Sequence, residues 1–468
     1  MKGFKYRTVL GCWINDLASV PRIEQWPSIK IDQTLEQDLN RLFDTLKEVK
    51  LNSVILFGLL ASKEWEPDFQ KTVSPKRKEA VKRILSEAGR RGIKVLYGLG
   101  LYSWGFEKII REDPGVRGSN PQAMCGSKEA SHEKMAGLID YLLSTFPFDG
   151  FHFESADQGR CSCPRCKKKG DAVYHLELNE RMAKYVCSRW PGKIVEVYVP
   201  IGFTPEKDWS KEDWLQWREA SKHFTFLIDD WNRADRFGCE SRKEIISALS
   251  CAYGTRSSMW VYPPQRWEKL QWFIPIIEKR ASHYRKLAED GGQAVMIQGS
   301  PLINPGEEMT LRCSGKFAQD PFRSVCSILR ETVEEMFRPR KQSVTEELAD
   351  IFWWAEKAYF ANANFYPEGG ELHLEPLCGK IPGPPIYLQQ RFYSHNLQEY
   401  ETAITNIRQR FLKIRKDIGD QKRAACLQAC LNAVLHDIAR IKTENSTLRF
   451  PASTTDKRTW TDKWLWGK

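Results

Sequence analysis

Over roughly its first three hundred residues the chain alternates short apolar runs with longer amphipathic stretches. Eight runs read as strands: Thr8–Asn15, Ser53–Leu60, Lys94–Leu101, Gly150–Ser155, Lys193–Val199, Phe224–Ile228, Ser258–Tyr262 and Ala294–Gln298. Between and after them, helical periodicity predicts Thr34–Lys50, Pro75–Arg91, Glu129–Thr145, Ala172–Trp190, Glu212–Ser221, Arg242–Cys251, Trp267–Glu289 and Pro321–Phe337. In the first of these, Leu35, Leu39, Leu42, Phe43, Leu46 and Val49 form one stripe. Pro75 suits a first helical turn.

Eight strand–helix units in this length predict a (β/α)8 barrel. A doubly wound open sheet is the rival, but no Gly-x-Gly-x-x-Gly follows the first strand. After about Arg340 the alternation stops. Val344–Ala361 reads as helix, Tyr366–Pro385 is rich in Pro and Gly, and Asn396–Lys416 with Gln421–Lys442 form a predicted helical hairpin. The expected organisation is a barrel over 1–338, a C-terminal helical domain over 339–443, and a polar, Trp-containing tail over 444–468.

Composition adds limits. Of 468 residues, 41% are hydrophobic and 28% charged, values that support a buried core. No apolar run approaches the ~20 residues of a membrane-spanning helix, so no membrane partner is expected. The net charge of +11 is spread along the chain, with tight basic runs at Lys167–Lys169 and near Arg338–Lys341. The N-terminal residues show no apolar leader, and a cytoplasmic location is the expectation.

A barrel of this kind carries its chemistry at the C-terminal ends of its strands. The fourth strand is the most informative. Alternation puts Phe151 and Phe153 on one face, for the helices, and His152 and Glu154 on the other, for the barrel interior. Glu154 is then expected near the mouth, partly desolvated and suited to donate a proton, with Asp157 opening the next loop. A buried salt bridge to an arginine is the alternative for Glu154. His152 and His132 are candidates for proton transfer or for structural hydrogen bonds.

Other strand ends supply Asp16, Asp229, Asp230, Tyr198 and Gln298, and glycoside hydrolysis needs two carboxyl groups flanking a sugar. Trp13, Trp104, Trp231, Trp260 and Tyr262 fall at or just past predicted strand ends, where aromatic faces pack on sugar rings. Immediately after Asp157 come Cys161, Cys163 and Cys166, three thiols in six residues, able to hold a soft metal such as a structural zinc if Cys125, His132, His175 or Cys187 supplies a fourth ligand. Free thiols or a local disulfide are the alternatives, with an iron–sulfur cluster a less favoured one.

The segment Phe148–Cys166, FDGFHFESADQGRCSCPRC, resembles carbohydrate-active (β/α)8 proteins with D-G-x-x-x-E-x-x-D-x-G-x-C-x-C-x-x-C at the fourth strand, similar to the α-glucuronidase and β-hexosaminidase-like glycoside hydrolases. Trp104-Gly105-Phe106, Ala123–Ser127 and the helical region after the barrel belong to the same likeness. The resemblance implies Glu154 as the fourth-strand acid and, by position, Asp229 or Asp230 as the base of an inverting enzyme. Glu154 and Asp157 stand three apart, unlike the adjacent Asp-Glu of the hexosaminidases.

The expected function is therefore an exo-acting glycoside hydrolase, with no cofactor in its chemistry. Asp16 and Asp157 would bind hydroxyls or tune Glu154, and Trp104, Trp231 and Trp260 would form the sugar platform. The terminal sugar would be a uronic or sialic acid, pairing with Arg160 or Arg233, or an N-acetylhexosamine. A non-catalytic glycan-binding barrel is the alternative. The expected partner is an oligosaccharide or glycoside; nucleic acid is not, for want of a recognition-helix pattern, and a homodimer is left open.

Overall fold

The computed structural model describes residues 3–11, 30–60, 64–155, 159–199, 210–230, 242–256, 273–298, 302, 304–362, 364–365, 374–375 and 394–445. Eight parallel strands close into a barrel in chain order: β1 Tyr6–Gly11, β2 Ser53–Leu56, β3 Lys94–Gly100, β4 Gly150–Glu154, β5 Ile194–Tyr198, β6 Phe226–Asp230, β7 Ala252–Arg256 and β8 Ala294–Gln298, with β8 returning to β1. The surrounding helices are α1 Gln33–Glu48, α2 Pro75–Arg90, α3 Glu129–Thr145, α4 Asp171–Arg189, α5 Lys211–Ala220, α6 Arg242–Ala248, α7 Glu278–Glu289, α8 Pro305–Gln319 and α9 Val325–Phe337. Their starts follow local chemistry. The Asp32 carboxylate accepts from the Leu35 N–H, and Ser74 caps α2 ahead of Pro75. The fold is a (β/α)8 barrel followed by helices.

Period-two alternation divides each strand between two cores. Leu10, Ile55, Leu96, Ile194, Tyr198, Phe226, Ile228, Ala252, Ala294 and Met296 fill the barrel interior. Val9, Val54, Val95, Phe151, Phe153, Val197, Leu227, Tyr253 and Val295 pack outward against the helices. Interior packing joins large to small. A Cβ on Gly98 would lie 2.5 Å from the Phe57 ring, and one on Gly100 2.8 Å from the Trp104 ring. Bare backbone on β3 thus makes room for two aromatics at the mouth.

Several sequence expectations need correction; in the stretch expected as the helix Trp267–Glu289, residues 273–277 are not helical and the helix is Glu278–Glu289. The seventh strand is Ala252–Arg256, whereas Ser258–Tyr262, the segment expected to form it, lies outside the described residues. The sixth runs two residues later than expected, ending at Asp230. The last barrel helix is a pair, because Pro305–Gln319 precedes Val325–Phe337. That extra helix is buried on almost every side, including Glu308, Arg312, Ser314 and Lys316, so it shows no clear apolar stripe.

Beyond the barrel, α10 Gln342–Asn362, α11 Ser394–Ile414 and α12 Gln421–Asn445 pack on one another and on α8 and α9. Within the Pro/Gly-rich stretch, Asn364–Phe365 pairs antiparallel with Leu374–Glu375; Tyr366–His373 and Pro376–Pro385, like the tail after Asn445, lie outside the described residues. Among the described residues, buried polar ties hold this region to the barrel. The Glu356 carboxylate accepts the N–H groups of Ile277, Glu278 and Lys279, each at 2.9 Å, at the start of α7. Arg423 of α12 donates to Glu308 of α8 at 2.8 and 3.0 Å. Among the described residues, no helix is long and apolar enough to cross a membrane.

Candidate active site

β4 delivers its polar face inward, as its alternation requires. Phe151 and Phe153 stack on each other in the outer core, and His152 and Glu154 occupy the opposite face. His152 Nδ1 lies 2.7 Å from Glu196 Oε1, and Nε2 lies 3.3 Å from Glu154 Oε2. Glu196 is the register partner of His152 on β5, so adjacent strands set this contact. With a carboxylate at each ring nitrogen, both nitrogens can donate, as they do in an imidazolium. Burial pulls the His152 pKa down, but Glu196 and Glu154 outweigh it and push it up to about 9. Burial raises the pKa of Glu196, against the opposing pull of His152.

Aromatics wall this triad. The Phe57 ring stands edge-on to His152 at 5.4 Å and to Trp104 at 5.2 Å, while Tyr198 lies roughly parallel to the imidazole at 6.5 Å. His152 and Glu196 are fully buried, whereas Glu154 retains 6% exposure at the last position of β4. Trp104 is 9% exposed and adopts φ of 65°, a left-handed backbone rare outside glycine. Glu154 thus sits at the inner rim with a small opening to solvent.

The sequence reading missed Arg256, the last residue of β7. Its Nη2 donates to Tyr198 Oη at 2.8 Å, and its guanidinium lies 4.4 Å from the centre of the Tyr198 ring. The misplaced seventh strand hid it; with β7 correctly placed, a strand-end arginine is visible in the sequence.

The other candidates divide. Asp229 shares the parity of Leu227, which packs in the outer core, and its register partner Thr255 hydrogen-bonds His283 of α7 at 2.7 Å. Asp229 is therefore buried on the helix-facing side, a correction to its expected place beside Glu154. Asp230, the next residue, is in register with Arg256, and only its backbone is described, as for Gln298. Trp13, Asp16, Asp157, Trp231, Arg233 and Trp260 lie outside the described residues.

Arg160 also departs from expectation. It pairs with Asp171, donates to the Lys169 carbonyl at 2.9 Å and lies over the Tyr174 ring. These partners make it a brace of the cysteine loop rather than a group turned to a sugar. His132 bonds Tyr102 Oη at 2.6 Å, and burial lowers its pKa. His175 bonds Ser155 Oγ at 3.1 Å, and burial takes its pKa down to about 3, so it is a neutral support for the residue after Glu154.

Cys125 joins the expected thiols. Sulfurs of Cys125, Cys161, Cys163 and Cys166 all lie within 4.8 Å of one another, close enough to bind a metal. Cys125 is 3.7 Å from Cys163 and 3.8 Å from Cys166. Cys187 instead donates to the His223 carbonyl, and His132 and His175 are engaged as above.

No protein-family model and no curated protein sequence matches the chain. Solved structures do resemble it. One is a GH138 enzyme targeting pectin rhamnogalacturonan II: TM-score 0.61, 10% identity, covering 94% of this chain and 57% of that one. Another is a GH115 4-O-methyl-α-glucuronidase with specificity for decorated arabinogalactans: TM-score 0.54, 11% identity, covering 94% and 54%. A third is CpGH89 from Clostridium perfringens, in complex with GlcNAc-α-1,4-galactose: TM-score 0.54, 11% identity, covering 95% and 50%. This chain spans about half the length of these structures, and at such identity the likeness is one of fold.

Proposed function

We propose that the chain is an exo-acting glycoside hydrolase whose acid is Glu154. The observation that carries this reading is the hydrogen-bonded row Glu154–His152–Glu196 running from the barrel rim into its interior. Glu154 Oε2 stands 3.3 Å from His152 Nε2, within hydrogen-bond reach, so a proton can pass from the ring to the carboxylate. When a glycosidic oxygen takes a proton from Glu154, the imidazolium reloads the carboxylate, and Glu196 stabilises the ring through the exchange. Asp230 is the base that activates water. It follows Ile228 by two positions on β6, and Ile228 belongs to the interior core. Trp104 supplies part of the sugar platform.

Arg256 supports an acidic terminal sugar as the substrate class. A guanidinium held by Tyr198 at the end of β7 suits the carboxylate of a uronic or sialic acid. The glucuronidase among the similar structures supports this choice, because its substrate sugar is acidic by name. Nitrophenyl glycosides of uronic acids, sialic acid, N-acetylhexosamines and neutral hexoses test the reading. Turnover of an acidic member is expected. Saturable binding of glycans with no turnover across the panel would favour a glycan-binding barrel.

A further inference from the structure

We propose that Cys125, Cys161, Cys163 and Cys166 hold one zinc ion as four thiolates, and that this centre locks the loop after β3 to the loop after β4. The site stands independently of the glycosidase reading; its effect on hydrolysis rests on that reading. A tetrahedral Zn–S4 centre with Zn–S near 2.3 Å has sulfurs about 3.8 Å apart along each edge. Two of the separations here are 3.7 and 3.8 Å, and none exceeds 4.8 Å. These are far beyond the ~2.05 Å of a disulfide. An iron–sulfur cluster would interpose sulfide between the thiolates and spread them wider, so a single ion fits better.

The surroundings are those of a thiolate site. Cys163 begins the short helix Pro164–Lys167, and its sulfur accepts the Cys166 N–H. Cys161 Sγ accepts the Ser119 N–H at 3.4 Å and that of Cys163. Such N–H···S bonds spread thiolate charge and orient the ligands. On the other loop, Cys125 is pinned by its N–H to the Val116 carbonyl at 2.9 Å, and Met124 by its N–H to the Tyr102 carbonyl at 2.7 Å. The loops meet so closely that a Cβ on Gly118 would lie 2.3 Å from Cys161 Sγ. Four thiolates and one divalent ion leave two negative charges. Arg165, Lys167 and Lys168 stand next to the cysteines in sequence, a basic setting suited to that charge, while Lys169 pairs with Glu177. The locked segment follows Glu154 closely and includes Arg160, so the ion would fix the approach to the active-site rim.

The intact chain, purified without chelator, is expected to carry about one zinc by elemental analysis and to release it as about four thiols react with a mercurial. Cobalt in its place should give the intense visible bands of a tetrahedral tetrathiolate. Cys125→Ser should lose most of the bound metal, and Cys187→Ser should keep it. Removing zinc should raise tryptic cleavage at Lys167–Lys169 about tenfold. Failure to take up added zinc, an iron charge-transfer spectrum in the isolated protein, or an unchanged cobalt spectrum in Cys125→Ser would overturn the assignment. Unchanged cleavage without metal would overturn the lock. If Cys125→Ser does not fold, the wild-type cobalt spectrum still decides the ligand set. None of these readouts requires hydrolysis, so failure here is distinguishable from failure of the glycosidase reading.

Discussion

At the scale of single residues, the decisive feature is a histidine with a carboxylate at each nitrogen. His152 has its pKa raised to about 9 from an ordinary 6.5. A group whose pKa rises on folding contributes stability fully below its unfolded value, and that contribution is lost as pH climbs through the folded one. Stability should therefore fall between about pH 6.5 and 9, and His152→Gln should flatten that decline. Denaturant midpoints measured across this range check it; equal declines in both proteins would contradict it. Arg256 makes a second prediction. Arg256→Leu should raise KM for an acidic glycoside about 10-fold or more, while leaving a neutral analogue much less affected. Equal losses on both substrates would show that the guanidinium serves the fold rather than the sugar.

At the scale of elements, strand alternation made the inner face of β4 legible. Phe151 and Phe153 are large and apolar, so their alternation with His152 and Glu154 has one sensible direction. β7 was harder to read. Its inner face is Ala252 and Gly254, too small to register as an apolar run, while the nearby SMWVY segment has stronger β-character. The helix Pro305–Gln319 escaped notice because buried Arg312 and Lys316 are satisfied by Glu48, Glu308, Glu331 and Glu335, partners remote in sequence or read as surface charge. Cys125 precedes Cys161 by a whole helix and strand, and only barrel topology makes their loops neighbours. Glu356 gives a test at this scale. Truncating it strands three N–H groups at the start of α7, so Glu356→Ala should cost about 2–3 kcal/mol in chemical denaturation. A loss below about 0.5 kcal/mol would mean that water or another acceptor replaces it.

At the scale of the whole molecule, closure of the barrel brings strand ends from distant parts of the chain to one mouth. Glu154, Tyr198 and Arg256 come from three strands, and the C-terminal helices are tied to the barrel through Glu356 and Arg423. These buried ties predict that barrel and helices unfold in one calorimetric transition; two separated transitions would show them to be independent. The charge count and barrel pattern were plain in the sequence, but the ties were not, because each joins residues dozens of positions apart. Glu154 is proposed to deliver the proton, and hydrolysis of an activated and an unactivated glycoside by wild type and Glu154→Gln at matched thermal stability tests this. A proton donor predicts a loss of about 10²–10⁴-fold on the unactivated glycoside and a much smaller loss where the leaving group needs no proton. Full activity in the variant, or equal losses on both substrates, would contradict it.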